Sequence, residues 1–230
     1  MQKLKFIAIV ALGLSTFSHA YATTLSYDHE YEDVSGQHTD EFSIAHKFGF
    51  GLKASATVEF EPHEKSNGDA GDIFNDDRWS ETKVGLGYPL QINSTWALIP
   101  GISLARKHDE YKYKPYLKAK VSLSKDWELS TRYRYEITHY TTDKKTKKNN
   151  RFDIGTSYKI NALTLGYTFT YYHANKDLFD NKKTDYENEV TAEYKLTKKW
   201  SPYIELKNEA VSSKTDQRQT EYKIGFKYKL

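Results

Sequence analysis

The sequence predicts an all-β fold, a 12-stranded antiparallel transmembrane β-barrel of the outer membrane, and three observations carry that prediction. The first is the terminal segment Tyr222-Lys-Ile-Gly-Phe-Lys-Tyr-Lys-Leu230, where every second residue is aromatic or aliphatic and the residues between are Lys or Gly. One greasy and one wet face, running to the last residue, is the pattern of a closing barrel strand that a barrel-assembly machinery reads. The second is the start of the chain: a basic head with Lys3 and Lys5, the apolar run Phe6 to Leu14, and the small-x-small site Ala20-Tyr21-Ala22. That is a secretory leader over 1–22, leaving 23–230 as the barrel domain. The leader's apolar run is too short to cross a bilayer as a helix, which takes roughly 20 apolar residues, and nothing downstream is longer, so any span is β. The third is a conflict in composition. Mean hydropathy is −0.79 and 28% of residues are charged, yet 15% are aromatic, with 19 Tyr. A barrel with a lipid face and a wet interior resolves it, because half of each strand is polar and Tyr is favoured at both membrane interfaces.

Alternation with period 2 justifies the strands in order. The first four place Leu25, Tyr27 and Tyr31; Phe42, Ile44, Phe48 and Phe50; Leu52, Ala54, Ala56, Val58 and Phe60; then Val84, Leu86 and Tyr88 on the outer face. The fifth offers Trp96, Leu98, Ile102 and Leu104; the sixth Tyr111, Tyr113, Leu117, Ala119, Val121 and Leu123; the seventh Trp127, Leu129, Tyr133, Tyr135 and Ile137. The eighth has Phe152, Ile154, Tyr158 and Ile160, the ninth Leu163, Leu165, Tyr167, Phe169 and Tyr171, and the tenth Tyr186, Val190, Ala192, Tyr194 and Leu196. Trp200, Ile204, Leu206 and Ala210 form the eleventh, and the terminal segment the twelfth. An even count puts both chain ends on the periplasmic side.

Connections alternate in length. Short turns are expected at Ser124 to Asp126, Asn161-Ala162 and Thr197 to Lys199, and long polar loops at His63 to Arg78, Thr142 to Asn150, Ala174 to Lys183 and Ser212 to Arg218. Three turns end in Trp96, Trp127 and Trp200, which predicts an aromatic girdle at the periplasmic rim. The outer face then meets lipid and lipopolysaccharide.

Lipid keeps charge on the inner phase, so the inward residues hold the function. The sixth strand turns Lys112, Lys114, Tyr116, Lys118 and Lys120 inward; the seventh Glu128, Arg132, Arg134 and Glu136; the eighth Arg151, Asp153 and Lys159. The last three strands are mixed, with Lys223 and Lys227 among many Glu. A basic stripe gives an anion successive weak sites, which lets it both enter and leave. Arginine engages a carboxylate with a two-pronged fork, whereas lysine acts as a point charge. Inward Tyr116, Tyr140, Tyr172 and Tyr203 offer either sugar platforms or packing, and Lys144 to Lys148 read as a solvated loop tip. The competing reading is that the charges only pair with one another and hydrate a weakly selective pore.

Other functions find little support. Removing Lys3 and Lys5 with the leader lowers the net charge from +3 to +1, which argues against a nucleic-acid partner. There is no Cys and no G-x-S-x-G, H-E-x-x-H or Ca-loop pattern, so neither cofactor nor metal is expected. A barrel hydrolase would need Ser and His together on the lipid side, and His139, expected to face Phe152 and Ile154, lacks such a Ser.

Four segments together, Lys112-Tyr-Lys-Pro-Tyr-Leu-Lys118, Trp127 followed by Arg132-Tyr-Arg-Tyr135, Ser201-Pro-Tyr-Ile-Glu205 and Tyr222-Lys-Ile-Gly-Phe226, resemble the oligogalacturonate-specific porin family and its sialic-acid branch. The likeness is strongest from Trp96 to Leu230. It implies a monomeric channel for acidic mono- or oligosaccharides, with Lys112, Lys114, Lys118, Arg132 and Arg134 as its substrate track. The chain departs from an arginine-rich lumen in its use of lysine and in the acid-rich wall opposite.

Overall fold

The computed structural model describes residues 22–230. The expected leader, 1–22, therefore lies outside the described residues, apart from Ala22. Thirteen strands form one antiparallel sheet: β1 (Thr23–Glu32), β2 (His38–Lys47), β3 (Lys53–Pro62), β4 (Asp77–Gly87), β5 (Leu90–Gln91), β6 (Trp96–Lys107), β7 (Glu110–Ser122), β8 (Trp127–Tyr140), β9 (Lys147–Ile160), β10 (Leu163–Ala174), β11 (Thr184–Tyr194), β12 (Trp200–Ala210) and β13 (Arg218–Lys229). Each pairs with its sequence neighbour, β1 pairs with β13, and both β4 and β5 lie against β6. The two-residue β5 continues the line of β4, so the wall is a closed barrel of twelve staves without a free edge, the form a sheet must take in lipid.

Its packing is inside out. The only buried apolar side chains among the described residues are Ala105 and Ala174, whereas Asp28, Glu59, Glu81, Asp153 and Glu221 are buried. Ile154 and Ile224, by contrast, are each 64% exposed. Such a surface is stable only against acyl chains, where polar strand faces must turn inward.

The start of β1 and the end of β13 meet at one end, where the Leu230 amide donates to the Thr23 carbonyl at 3.0 Å. The long loops at 63–76, 175–183 and 211–217, with the two-residue turn His108-Asp109 between β6 and β7, lie at the opposite end, and the turns at 123–126, 161–162 and 195–199 at this one. Trp96, Trp127 and Trp200 start ascending strands there and are exposed outward.

Three expectations change. Phe48, Phe50 and Leu52 belong to the turn between β2 and β3, closed by the Phe48 amide donating to the Leu52 carbonyl at 2.9 Å. The loop expected over Thr142 to Asn150 is shorter, because β9 begins at Lys147. That start fixes the register so that Phe152 faces Tyr133 and Ile154 faces Thr131. His139 therefore does not face them: it sits against the Tyr113 ring, 5.9 Å between centroids, and near the Thr146 hydroxyl.

Asp40 carries a carboxylate on the outer phase of β2. Asp40, near the loop end, is buried because the Tyr27 hydroxyl donates to it at 2.7 Å and His29 Nδ1 lies 3.1 Å away. A charge on the lipid face is costly at mid-bilayer, roughly 2–4 kcal/mol for Arg or Lys and less for Asp, and costs little near the rim, which explains both its height and its partners.

Candidate functional site

The inward side chains of β7, β8 and β9 form one wall. Register aligns Lys118, Arg132 and Asp153 in one row and Tyr116, Arg134 and Arg151 in the next. Asp153 is shared: Arg132 Nε donates to one oxygen at 2.6 Å, Arg151 Nε to the other at 2.7 Å, and the Thr170 hydroxyl adds a bond at 2.8 Å. Arg134 Nε stands 2.9 Å from Glu136, and the Arg151 guanidinium lies 5.1 Å from the Tyr172 ring centroid. Lys112 pairs with Glu81 at 3.1 Å across to β4, and Lys120 with Glu128 at 2.7 Å. The arginines and these two lysines are thus committed to the wall itself.

Other bases are not. Lys114 and Lys118 form no ion pair within 4 Å among the described residues, nor do Lys147 and Lys159. Lys159 is exposed at the end of β9, beside the turn that holds Asp126. Lys147, expected in a solvated tip, belongs instead to β9, and its alternation with Lys148 turns it inward. Four residues separate Lys114 from Lys118, about 13 Å along an extended strand. With Glu110 and Lys147 included, the inward set on this wall is nine bases and four acids.

The opposite wall, from β11 through β13 to β1 and β4, has a different design. Lys83 sits among Glu41 at 3.5 Å, Glu81 at 3.9 Å and Glu59, with which it is in direct contact. Lys207 lies between Glu221 at 2.6 Å and Glu209 at 2.9 Å. Lys223 meets Glu30 at 2.5 Å and both Asp28 and Glu205 at 3.8 Å. Eight carboxylates therefore surround three lysines. Lys227 pairs with Glu193 at 2.6 Å and its ammonium lies 4.8 Å from the Tyr203 ring centroid.

The inward tyrosines divide. Tyr116 lies over Gly87 and Gly101, where an added Cβ would overlap its ring, so a notch in β4 and β6 receives it flat against the wall. Tyr203 covers Gly225 in the same way and donates to Asp28 at 2.5 Å, and Tyr172 donates to Glu187 at 2.8 Å. Tyr140 differs, for the ammonium groups of Lys176 and Lys144 lie 4.7 and 5.7 Å from its ring centroid. It helps line a cavity of about 440 Å³ at the loop end with Glu61, Arg78, Lys107 and Glu110. In the loops the charge pairs are local; the Asp180 carboxylate, 2.7 Å from the Lys182 ammonium, raises that lysine above its ordinary pKa.

A closed twelve-stave barrel with an apolar outer face and a charged interior defines the class: an outer-membrane porin. Residues 16–230 match the family of oligogalacturonate-specific porin proteins (KdgM), and the chain belongs to it. The oligogalacturonate-specific porin KdgM of Dickeya dadantii is 28% identical over 98% of this chain and 99% of its own length. The N-acetylneuraminic acid outer membrane channel protein NanC of Escherichia coli K12 is 27% identical over 66% of this chain and 68% of its own. A solved NanC porin superposes with a TM-score of 0.76, at 22% identity, covering 90% of this chain and all of that one. These relatives are porins and channels rather than enzymes.

Proposed function

We propose that the chain is a passive outer-membrane channel for acidic sugars, acting as a monomer after removal of residues 1–22, with the wall of β7 to β9 as its anion path. The observation that carries this is the pair Lys114 and Lys118, which have no carboxylate within ion-pair distance on a wall where acids are already claimed. The arginines Arg132, Arg134 and Arg151, held on Asp153 and Glu136, and Lys112 and Lys120, held on Glu81 and Glu128, keep a steady positive background, while Lys114 and Lys118, with Lys159 further along the same wall, are the mobile point charges that meet cargo. Flexible ammonium groups bind a passing carboxylate weakly and release it, as conduction requires. Two relatives named for acidic sugars support this cargo class. Lipid and lipopolysaccharide contact the outer face, and β13 supplies the assembly signal.

Proteoliposome swelling tests the reading. A uronic acid should enter faster than a neutral sugar of equal size, and the difference should shrink in Lys114→Gln, Lys118→Gln. Equal rates in the wild type would instead mark a weakly selective porin, the reading that the acid-rich wall favours.

A further inference from the structure

The two walls are nearly equal and opposite. Nine inward bases against four acids on β7 to β9 leave an excess of five positive charges, and on the same alternation fourteen inward acids against eight bases on β11 to β13 and β1 to β4 leave an excess of six negative charges across the pore. Neither excess is neutralised locally. Glu189 on β11 forms no ion pair within 4 Å among the described residues and lies opposite Lys207, which is already taken by Glu209 and Glu221. Among the described residues, Glu81 with Lys112 is the one ion pair that ties β4 to the basic wall. A field therefore points across the pore rather than only along it, and low-dielectric walls keep such a field strong.

We propose that this field selects dipolar cargo: sugar acids that carry a carboxylate on one edge and a cationic amine on the other. The inference rests on the anion-path reading above and narrows its substrate class. In a chain of uronic acids successive carboxylates project from different sides, so some must face the acidic wall. Like charges brought together in a confined site are a discriminating penalty. A plain uronic acid turns its carboxylate to Lys114 and Lys118 and leaves the acidic wall unanswered. An amino uronic acid answers both walls in one orientation, with its ammonium toward Glu189 and Glu205.

Tracer flux from proteoliposomes at zero potential tests this with three size-matched monosaccharides: a neutral sugar, a uronic acid, and a 2-amino uronic acid in its zwitterionic form. The expected order is zwitterion, then uronic acid, then neutral sugar, with about a threefold lead for the zwitterion. Glu189→Gln, which removes no ion pair, should cut that lead to about half and leave the uronic acid ahead of the neutral sugar. A uronic acid that outruns the zwitterion overturns the inference while the anion path stands. A uronic acid no faster than the neutral sugar overturns the anion path itself.

Discussion

Both walls of this barrel carry their charge on the inner face, away from lipid, but they handle it differently. On β7 to β9 each carboxylate is claimed by arginine or by a lysine at its edge, and lysines are left over. On β11 to β4 Lys83, Lys207 and Lys223 are each claimed by two or three carboxylates, and acid is left over. Arginine is the scarce, rigid element of the first wall and lysine that of the second. The contrast teaches that inward charge alone does not identify a transport residue. What matters is whether the charge already has a partner.

Substitutions that break the pairing should rank accordingly. Lys223→Met leaves Asp28, Glu30 and Glu205 facing one another, with Asp28 only 2% exposed, and should cost about 3 kcal/mol of unfolding free energy in urea titrations from lipid vesicles. Asp153→Asn unties Arg132 and Arg151 but leaves both guanidiniums partly in water, so a smaller loss of about 2 kcal/mol is expected by the same measurement. Lys118→Gln breaks no ion pair and should shift stability by less than about 0.5 kcal/mol while it lowers uronic-acid flux. A stability loss from Lys118→Gln as large as that from Asp153→Asn would erase the distinction between committed and free charge.

Much of this was legible in the sequence. Twelve segments of alternation marked the twelve staves, and their polar phase marked Lys112, Lys114, Lys118, Arg132 and Arg134 as inward. Side-chain period in a strand is local, so it survives without any knowledge of partners. Pairing is not local. That Arg132 and Arg151 share Asp153 depends on the β8–β9 register, which moved once β9 began at Lys147 and not after Asn150. Lys147 itself was hidden in a lysine-rich run that reads as loop, although Lys147, Asn149, Arg151 and Asp153 share one phase and could have signalled it. The seats of Tyr116 and Tyr203 needed the glycines Gly87, Gly101 and Gly225 from neighbouring staves, which a single strand does not reveal.

The central claim is that Lys114 and Lys118 are the working charges of the pore and the arginines its frame. The most direct measurement is the reversal potential of single channels under a salt gradient, for wild type and for Lys114→Gln, Lys118→Gln. Anion preference in the wild type that falls toward neutrality in the variant is the predicted result. A cation preference, or an anion preference that the variant leaves unchanged, would contradict it.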